Sequence, residues 1–402
     1  MNQVLFSNIK TPSLTVVEDA TASRNLQLAS FSTIYFFGQS SEGDITDEFV
    51  AVGSHSQFRD EFGTPVTAEE IIVDDSIKFI FLNDPSARVE FFKIDVPMGE
   101  DGVIDTVVRN TAYASKINAL KNEDNLEPGI LIAPIPSATK VINNALIGAA
   151  KKLDFITYVC GRNIFDASVM DDFTTLDASP KGYAVGFHPW LTETFSGDDR
   201  TIPACVAGAV ISTKRWKLEG YKPGAGIKYP IAGAKAGFTY IKSVQEEFYD
   251  NQINLIRDIR KAGTVVWGAS TLSNVSLYKP IHNRVISSVV NHTFRRSMEL
   301  RLNLFDLIDG RGLLLNFLKD SAKSVGRQLF RSGLLYGATE AQAFEAKCDL
   351  TNNPTDSLQA GNVLLEFTYA IAPHVEKMVF VTRLAEIGRV QAASTQGSSD
   401  VA

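Results

Sequence analysis

Short apolar runs alternate with amphipathic stretches through the first half of the chain. Runs that are rich in β-branched and aromatic residues and end at turn residues are typical of buried strands. Leu28–Gly38, Arg88–Val96, Gly129–Ile135 and Phe155–Cys160 have this character and are predicted strands. Apolar residues at helical spacing in Val141–Leu153 predict a helix before the last of these strands, Phe155–Cys160. A strand, a helix and a strand within about thirty residues indicate a parallel βαβ unit.

Further segments between residues 50 and 240 complete this α/β pattern. A short amphipathic helix is predicted at Ser56–Phe62, and Asp75–Leu82 fits either a helix or a strand. Tyr183–Leu191 and Ala204–Ile211 are additional apolar segments. Lys217–Gly237 is rich in glycine and proline, which is typical of a connecting segment, so we predict a domain boundary there.

The pattern changes after this loop. Val244–Ala262 carries one apolar face and is followed by Gly263 at the stop position, which predicts a single helix. Thr264–Leu272 reads as a strand. The remaining predicted elements are two long helices and then two strands: Ile281–Phe305, Leu313–Tyr336, Val363–Ile371 and Lys377–Leu384. The predicted fold class is therefore α/β plus α+β.

Both ends of the chain contain little that could form a local core. Residues 1–19 contain one candidate strand, Leu14–Glu18, and Gln391–Ala402 is small and polar, as flexible tails are. We expect both ends to be extensions.

Composition and charge narrow the classes of partner. The 402 residues are 45% hydrophobic and 21% charged, an ordinary globular balance that suits two or three units. Residues 1–130 hold 9 Lys/Arg against 21 Asp/Glu, a net −12 that leaves +5 for the rest of the total of −7. An acidic front region argues against nucleic acid as the main partner. No apolar run approaches the length of a membrane span, so we expect no membrane insertion. We expect the chain to fold in a cytoplasm.

The sequence contains few signs of a catalytic, cofactor-binding or metal-binding site. It has no Walker loop, GxGxxG, HExxH or GxSxG motif, so no catalytic, cofactor-binding or metal-binding residue is predicted. Five histidines stand alone: His55, His188, His282, His292 and His374. Three widely spaced cysteines without CxxC spacing are expected to be buried free thiols: Cys160, Cys205 and Cys348.

One periodic pattern is more specific. Cations recur every four residues in the helix Leu313–Tyr336 and form what we call the cationic ridge: Lys319, Lys323, Arg327 and Arg331. The ridge drifts by only about 40° per step, because each helical residue turns the chain by about 100°. Apolar residues on the other side suit a core: Leu314, Leu318, Val325, Leu329 and Phe330. The ridge is either a solvated face or a strip that contacts an acidic protein surface.

A second, less regular cationic group occupies the preceding helix. It consists of Arg284, Arg295, Arg296 and Arg301 and is interrupted by Glu299. These arginines form ion pairs either within the chain or with a neighbouring subunit, and the sequence does not decide between the two.

Successive motifs in the correct order resemble the contractile phage tail sheath family. They include VWGASTL at Val266–Leu272, the stretch RSGLLYGATEAQAFEAKCDLTNNP, and QAGNVLLEFTYAIAP at Gln359–Pro373. Earlier segments, such as EPGILIAPIP and GYAVGFHPWL, are similar to the family's α/β region. The resemblance covers nearly the whole chain.

This resemblance implies a helical homo-oligomer that surrounds an inner tube and contracts to drive the tube through a cell envelope. It implies an N-terminal arm (1–19), an outer α/β domain (20–235), an inner tube-facing α+β domain (236–384) and a flexible tail (385–402). The arms would add strands to neighbouring subunits. Residues assigned to these arm strands are Leu14, Val16, Glu18, Val379, Val381 and Arg383.

The implied partners are further copies of the chain, a tube protein with an acidic outer surface, and baseplate and tail terminator proteins. The ridge, with Arg295 and Arg296 behind it, is the expected tube contact. The expected location is the contractile tail of a virion, assembled in the host cytoplasm, and no enzymatic activity is expected. Two alternatives remain: a bacterial device, which means an R-type bacteriocin, an extracellular particle or a type VI-like apparatus, and a flavodoxin-like α/β enzyme.

Overall fold

The computed structural model describes residues 28–44, 47–96, 105–120, 126–135, 140–195, 200–301, 307–310 and 312–382. These residues fall into two units: one ends at Ile371, and the other begins at Ala372. All helices and strands given below belong to the first unit.

An eight-stranded mixed sheet forms the centre of the first unit. Its strand order is β11-β10-β6-β5-β4-β1-β3-β2. The strands run parallel from β3 through to β10, and the two outer strands, β2 and β11, are antiparallel to their neighbours. The bounds of these strands are β1 Thr33–Gly38, β2 Val50–Val52, β3 Arg88–Lys93, β4 Gly129–Ile132, β5 Ile156–Cys160, β6 Ala184–His188, β10 Ile253–Ile259 and β11 Gly263–Trp267.

Two smaller sheets accompany the large one. The first is three-stranded with the order β8-β7-β9, and the second pairs β12 with β13. Their bounds are β7 Leu191–Glu193, β8 Thr201–Ile202, β9 Ala234–Ala236, β12 Phe344–Lys347 and β13 Glu366–Tyr369.

Eleven α-helices are seen in the described residues. Their bounds are α1 His55–Phe62, α2 Ala68–Asn83, α3 Thr106–Ala119, α4 Lys140–Leu153, α5 Asp171–Thr174, α6 Ala204–Glu219, α7 Lys242–Asp250, α8 Ile281–Arg301, α9 Leu313–Arg331, α10 Glu340–Ala343 and α11 Thr355–Gln359.

The large sheet is buried on both faces, as a parallel sheet with helical connections must be. In β1, Ile34 and Phe36 face a core that α2 and α6 cover. Tyr35 and Phe37 face the opposite core, which α3 and α4 cover. The predicted α/β pattern is therefore confirmed as a three-layer arrangement, and the predicted parallel βαβ unit is β4-α4-β5.

Helix α8 joins this sheet to the smaller β12–β13 sheet. One side of α8 packs into the sheet core through Val285 and Val289. The adjacent side, with Ile286 and Val290, packs against α9 and Phe344 of β12. Both sides of the first half of α8 are therefore buried.

Two predicted helices differ from the structure. The single helix predicted at Val244–Ala262 is wrong, because α7 ends at Asp250 and the chain then enters β10. Gln252 has φ +62° at this junction, and hydrogen bonds with β6 and β11 override the local helical spacing. The helix predicted to end at Tyr336 stops at Arg331, because Gly333 turns the backbone left-handed at φ +69°.

The ambiguous segment Asp75–Leu82 is helical because α2 begins well before it. The Thr67 hydroxyl accepts a hydrogen bond from the Glu70 backbone amide, and the Glu70 carboxylate accepts one from the Thr67 backbone amide; this capping box starts the helix. The strand predicted at Lys377–Leu384 is not seen in residues 377–382, and its last two positions lie outside the described residues.

Hydrogen bonding in the sheets continues past the predicted boundary at residue 235. Strand β9 pairs with β7, and β10 and β11 extend the large sheet. The division into an outer and an inner domain stays a prediction.

The three cysteines are buried free thiols, as predicted. The Sγ atoms of Cys160 and Cys205 lie 3.4 Å apart, and burial raises the pKa of Cys205 well above its ordinary value. Within the described part of the chain, no helix is both long and apolar enough to cross a membrane, and no cluster of three or more potential metal ligands occurs.

Candidate interaction surfaces

Helix α9 presents the cationic ridge and buries its opposite side. Leu318, Val325 and Leu329 are buried, as predicted, whereas Leu314 and Phe330 are only partly buried. The helix packs closely on β12 at Gly326, where an added Cβ would lie 2.4 Å from the Phe344 ring. This contact fixes the direction in which the ridge points.

Alternate cations of the ridge differ in their surroundings. Lys319 Nζ lies 3.6 Å from Asp349 Oδ2, and Arg327 Nε lies 3.3 Å from Glu340 Oε2. Lys323 and Arg331 form no ion pair with any residue that the structure describes. Half of the predicted ridge is therefore partnered within the chain.

The cations predicted to support the ridge lie on α8. Arg295 and Arg296 are both exposed, and Arg296 forms an ion pair with Glu127, which lies just before β4. Part of this second group is therefore also partnered within the chain.

The β12–β13 sheet has two strands and an apolar face. Phe344 lies opposite Tyr369, and the Phe367 ring packs edge-on against Phe294 of α8. Each of the two strands pairs on one side only among the described residues. Unpaired strand edges are templates for a further strand.

In the described part of the second unit, residues 372–382, the stretch 378–381 is apolar and exposed. Val379, Phe380 and Val381 are 84%, 83% and 73% exposed. An uninterrupted apolar run of this exposure marks an interaction site. Of the other predicted arm residues, Leu14, Val16, Glu18 and Arg383 lie outside the described residues.

A buried polar network attaches α8 to the sheet layer through Arg284, a member of the second cationic group for which the sequence left local pairing open. Arg284 Nη2 donates to Asp154 Oδ1 at 2.8 Å, and Asn291 Nδ2 donates to Asp154 Oδ2 at 2.8 Å. Ser288 Oγ accepts from the Arg284 Nε, and the Tyr183 hydroxyl also donates to Asp154. The Arg284 guanidinium lies 4.6 Å from the centre of the Tyr183 ring.

Asp154 connects α4 to β5, and it adopts φ +57° at that junction. The exposures of the Arg284 and Asp154 side chains are 3% and 10%. The sequence placed Arg284 in a cationic group but could not assign its carboxylate partner, which is 130 positions away.

His188 is the most deeply buried of the histidines. It lies at the end of β6, is 0% exposed, and shares a 2.7 Å hydrogen bond between Nε2 and the Tyr240 hydroxyl. Its ring stacks on Phe248 with the centroids 5.3 Å apart. Burial lowers the pKa of His188 to about 3, so the imidazole is neutral at physiological pH.

The rival enzyme interpretation requires a ligand pocket at the strand ends between residues 30 and 215. The pocket at the carboxyl end of β1 lies beside Gln39 and Ser40 and has a volume of about 10 Å³, room for one water molecule. A larger pocket of about 560 Å³ lies elsewhere, between the start of α9 and α11. The pocket at β1 therefore gives the enzyme interpretation no support.

These features define a mixed α/β protein with unpaired strand edges, an apolar exposed segment and a partly neutralised cationic ridge. No family model matches the chain, and no curated protein matches it by sequence. Several solved structures with a similar fold come from contractile sheaths.

The sheath of an extracellular contractile injection system, PVC, in the contracted state has a TM-score of 0.70 at 16% identity; the match covers 94% of this chain and 99% of that one. The contracted helical sheath of the anti-feeding prophage has a TM-score of 0.72 at 15% identity, covering 94% and 100%. A sheath tail protein from Listeria innocua has a TM-score of 0.55 at 10% identity, covering 87% and 97%. The resemblance to the sheath family is thus confirmed at the level of the fold.

Proposed function

We propose that this chain is the subunit of a contractile sheath, a structural protein that polymerises helically around an inner tube and contracts to drive the tube through a target envelope. The observation that carries the proposal is the match of the fold to sheath subunits over 94% of the chain. The protein acts by assembly and not by catalysis. Its partners are further copies of itself, an acidic tube, and baseplate and tail terminator proteins.

The exposed apolar segment supports a polymer joined by exchanged strands. Val379 and Val381 add a strand to the β12–β13 edge of a neighbouring subunit, and Leu14, Val16, Glu18 and Arg383 belong to the same arms. A strand donated to the next subunit is a heterologous contact, and such contacts generate open helical polymers. In this proposal the N-terminal arm (1–19), the outer domain (20–235), the inner domain (236–384) and the flexible tail (385–402) divide these roles, and Val379, Val381 and Arg383 lie at the end of the inner domain.

The ridge supports a contact with an acidic tube. Exposed ion pairs contribute only about 0–1 kcal/mol each, yet the same pairs recur in every subunit of the sleeve. Weak pairs also release easily when the sleeve shortens. Arg295 and Arg296 lie behind the ridge in this arrangement.

Reversing the four ridge charges tests this contact. The variant Lys319→Glu, Lys323→Glu, Arg327→Glu and Arg331→Glu should fold with wild-type circular dichroism but fail to assemble on its tube protein, as judged by co-sedimentation. The control reverses four exposed lysines away from α9, Lys151→Glu, Lys181→Glu, Lys222→Glu and Lys235→Glu, and so changes the net charge by the same amount. Normal co-sedimentation of the ridge variant with the tube would refute the assignment.

An extracellular injection particle is a second candidate within the same class. It is favoured by the higher TM-scores of the PVC and anti-feeding prophage sheaths, 0.70 and 0.72, against 0.55 for the Listeria protein. The chain would then act in a released particle and not in the tail of a virion, after assembly in the producing cytoplasm. The genes next to the one that encodes this chain distinguish these devices. Capsid and terminase genes indicate a phage, and a gene for a sheath-recycling ATPase indicates a type VI apparatus.

A further inference from the structure

The ridge carries its own acidic partners in a regular order. Lys319 and Arg327 face Asp349 and Glu340, whereas the intervening Lys323 has no ion pair among the described residues. The two acids come from elements that pack directly on α9: Glu340 lies in the first turn of α10, and Asp349 follows β12. Their positions are therefore set by the fold.

Asp349 is held in place independently of Lys319. The Thr351 backbone amide donates to Asp349 Oδ1 at 2.9 Å, and the Thr351 hydroxyl donates to the same atom at 2.6 Å. These hydrogen bonds lower the pKa of Asp349, so the carboxylate is ionised. Its second oxygen, Oδ2, remains directed at the lysine.

We propose that Asp349 and Glu340 are tuning residues that compete with an acidic partner surface for Lys319 and Arg327. This inference rests on the proposed contact between the ridge and the tube. Each acid weakens that contact twice, because it occupies a cation and repels an approaching carboxylate. Lys323 and Arg331 are then the cations that carry most of the attraction.

The geometry of the two pairs suits competition. Both pairs are near the surface: the exposures of Arg327 and Glu340 are 46% and 43%, and those of Lys319 and Asp349 are 29% and 40%. Neither pair is tight or bidentate at 3.3 and 3.6 Å. An exposed pair of this kind changes an equilibrium by up to about fivefold, so a partner carboxylate can replace the internal one.

The test measures binding of the full-length protein to poly-L-glutamate, a model acidic surface, at several salt concentrations. The variant Asp349→Asn with Glu340→Gln should bind roughly three- to tenfold more tightly and with a steeper salt dependence. The matched control, Asp60→Asn with Glu61→Gln on exposed α1, removes the same charges from another surface. It reports the effect of net charge alone.

Two further variants separate the outcomes. Lys323→Gln with Arg331→Gln should weaken binding more than Lys319→Gln with Arg327→Gln does. If the first of these pairs has no effect, both the ridge contact and the tuning are overturned. If it weakens binding but the Asp349 and Glu340 variant gains no more than the α1 control, the tuning is overturned and the ridge contact stands.

Discussion

Replacing Asp154 with asparagine should lower the free energy of unfolding by about 3–5 kcal/mol. The substitution leaves the buried Arg284 guanidinium without a counter-charge, at a position where the arginine side chain is 3% exposed. Asparagine tolerates the left-handed backbone of this position, φ +57°, as readily as aspartate does. The lower free energy of unfolding therefore reflects the missing charge and not a strained backbone. Urea unfolding of the wild type and the Asp154→Asn variant measures this difference.

Two comparisons make this prediction specific. Asp60→Asn, the same change on exposed α1, should alter stability by no more than about 0.5 kcal/mol. Replacing both charged members of the buried pair, Asp154→Asn with Arg284→Met, should recover much of the loss, because it removes the unpaired charge and keeps a residue that tolerates the left-handed backbone at position 154. A loss below about 1 kcal/mol for Asp154→Asn would show that the network does not secure α8.

Acid should destabilise the protein through His188. The pKa of this buried imidazole is about 3 in the folded chain, against about 6.5 when it is exposed in the unfolded chain. Between these values only the unfolded chain binds the proton, so the stabilisation present above pH 6.5 is lost as the pH falls toward 3. The loss from this one group is about 1.4 kcal/mol per pH unit.

The difference between wild type and His188→Gln isolates this group. Glutamine extends an amide toward the Tyr240 hydroxyl but does not titrate, so the variant should lose about 2–3 kcal/mol less than wild type between pH 6 and 4. Parallel stability curves for wild type and His188→Gln would show that His188 is protonated in the folded state.

The sequence predicts the strands of the α/β sheet well. The apolar runs at β1, β4 and β5 correspond to real strands because buried parallel strands are mostly apolar, and β3 keeps buried apolar residues between its charged ones. It also predicts the cationic ridge and its opposing apolar face, because both depend only on helical period.

Features that depend on distant residues escape the sequence. The helix predicted through Ile253 and Ile259 is a strand because its partners, β6 and β11, decide its conformation. The acids that neutralise half of the ridge lie 13 to 30 positions from their cations and could not be assigned from spacing. The Asp154 network joins residues 130 positions apart.

Negative-stain electron microscopy of the purified full-length protein, concentrated with and without its tube protein, tests the central claim most directly. We expect striated hollow cylinders, formed by subunits joined through strands such as the one containing Val379. Monomers under both conditions, at every concentration tried, would contradict the sheath assignment.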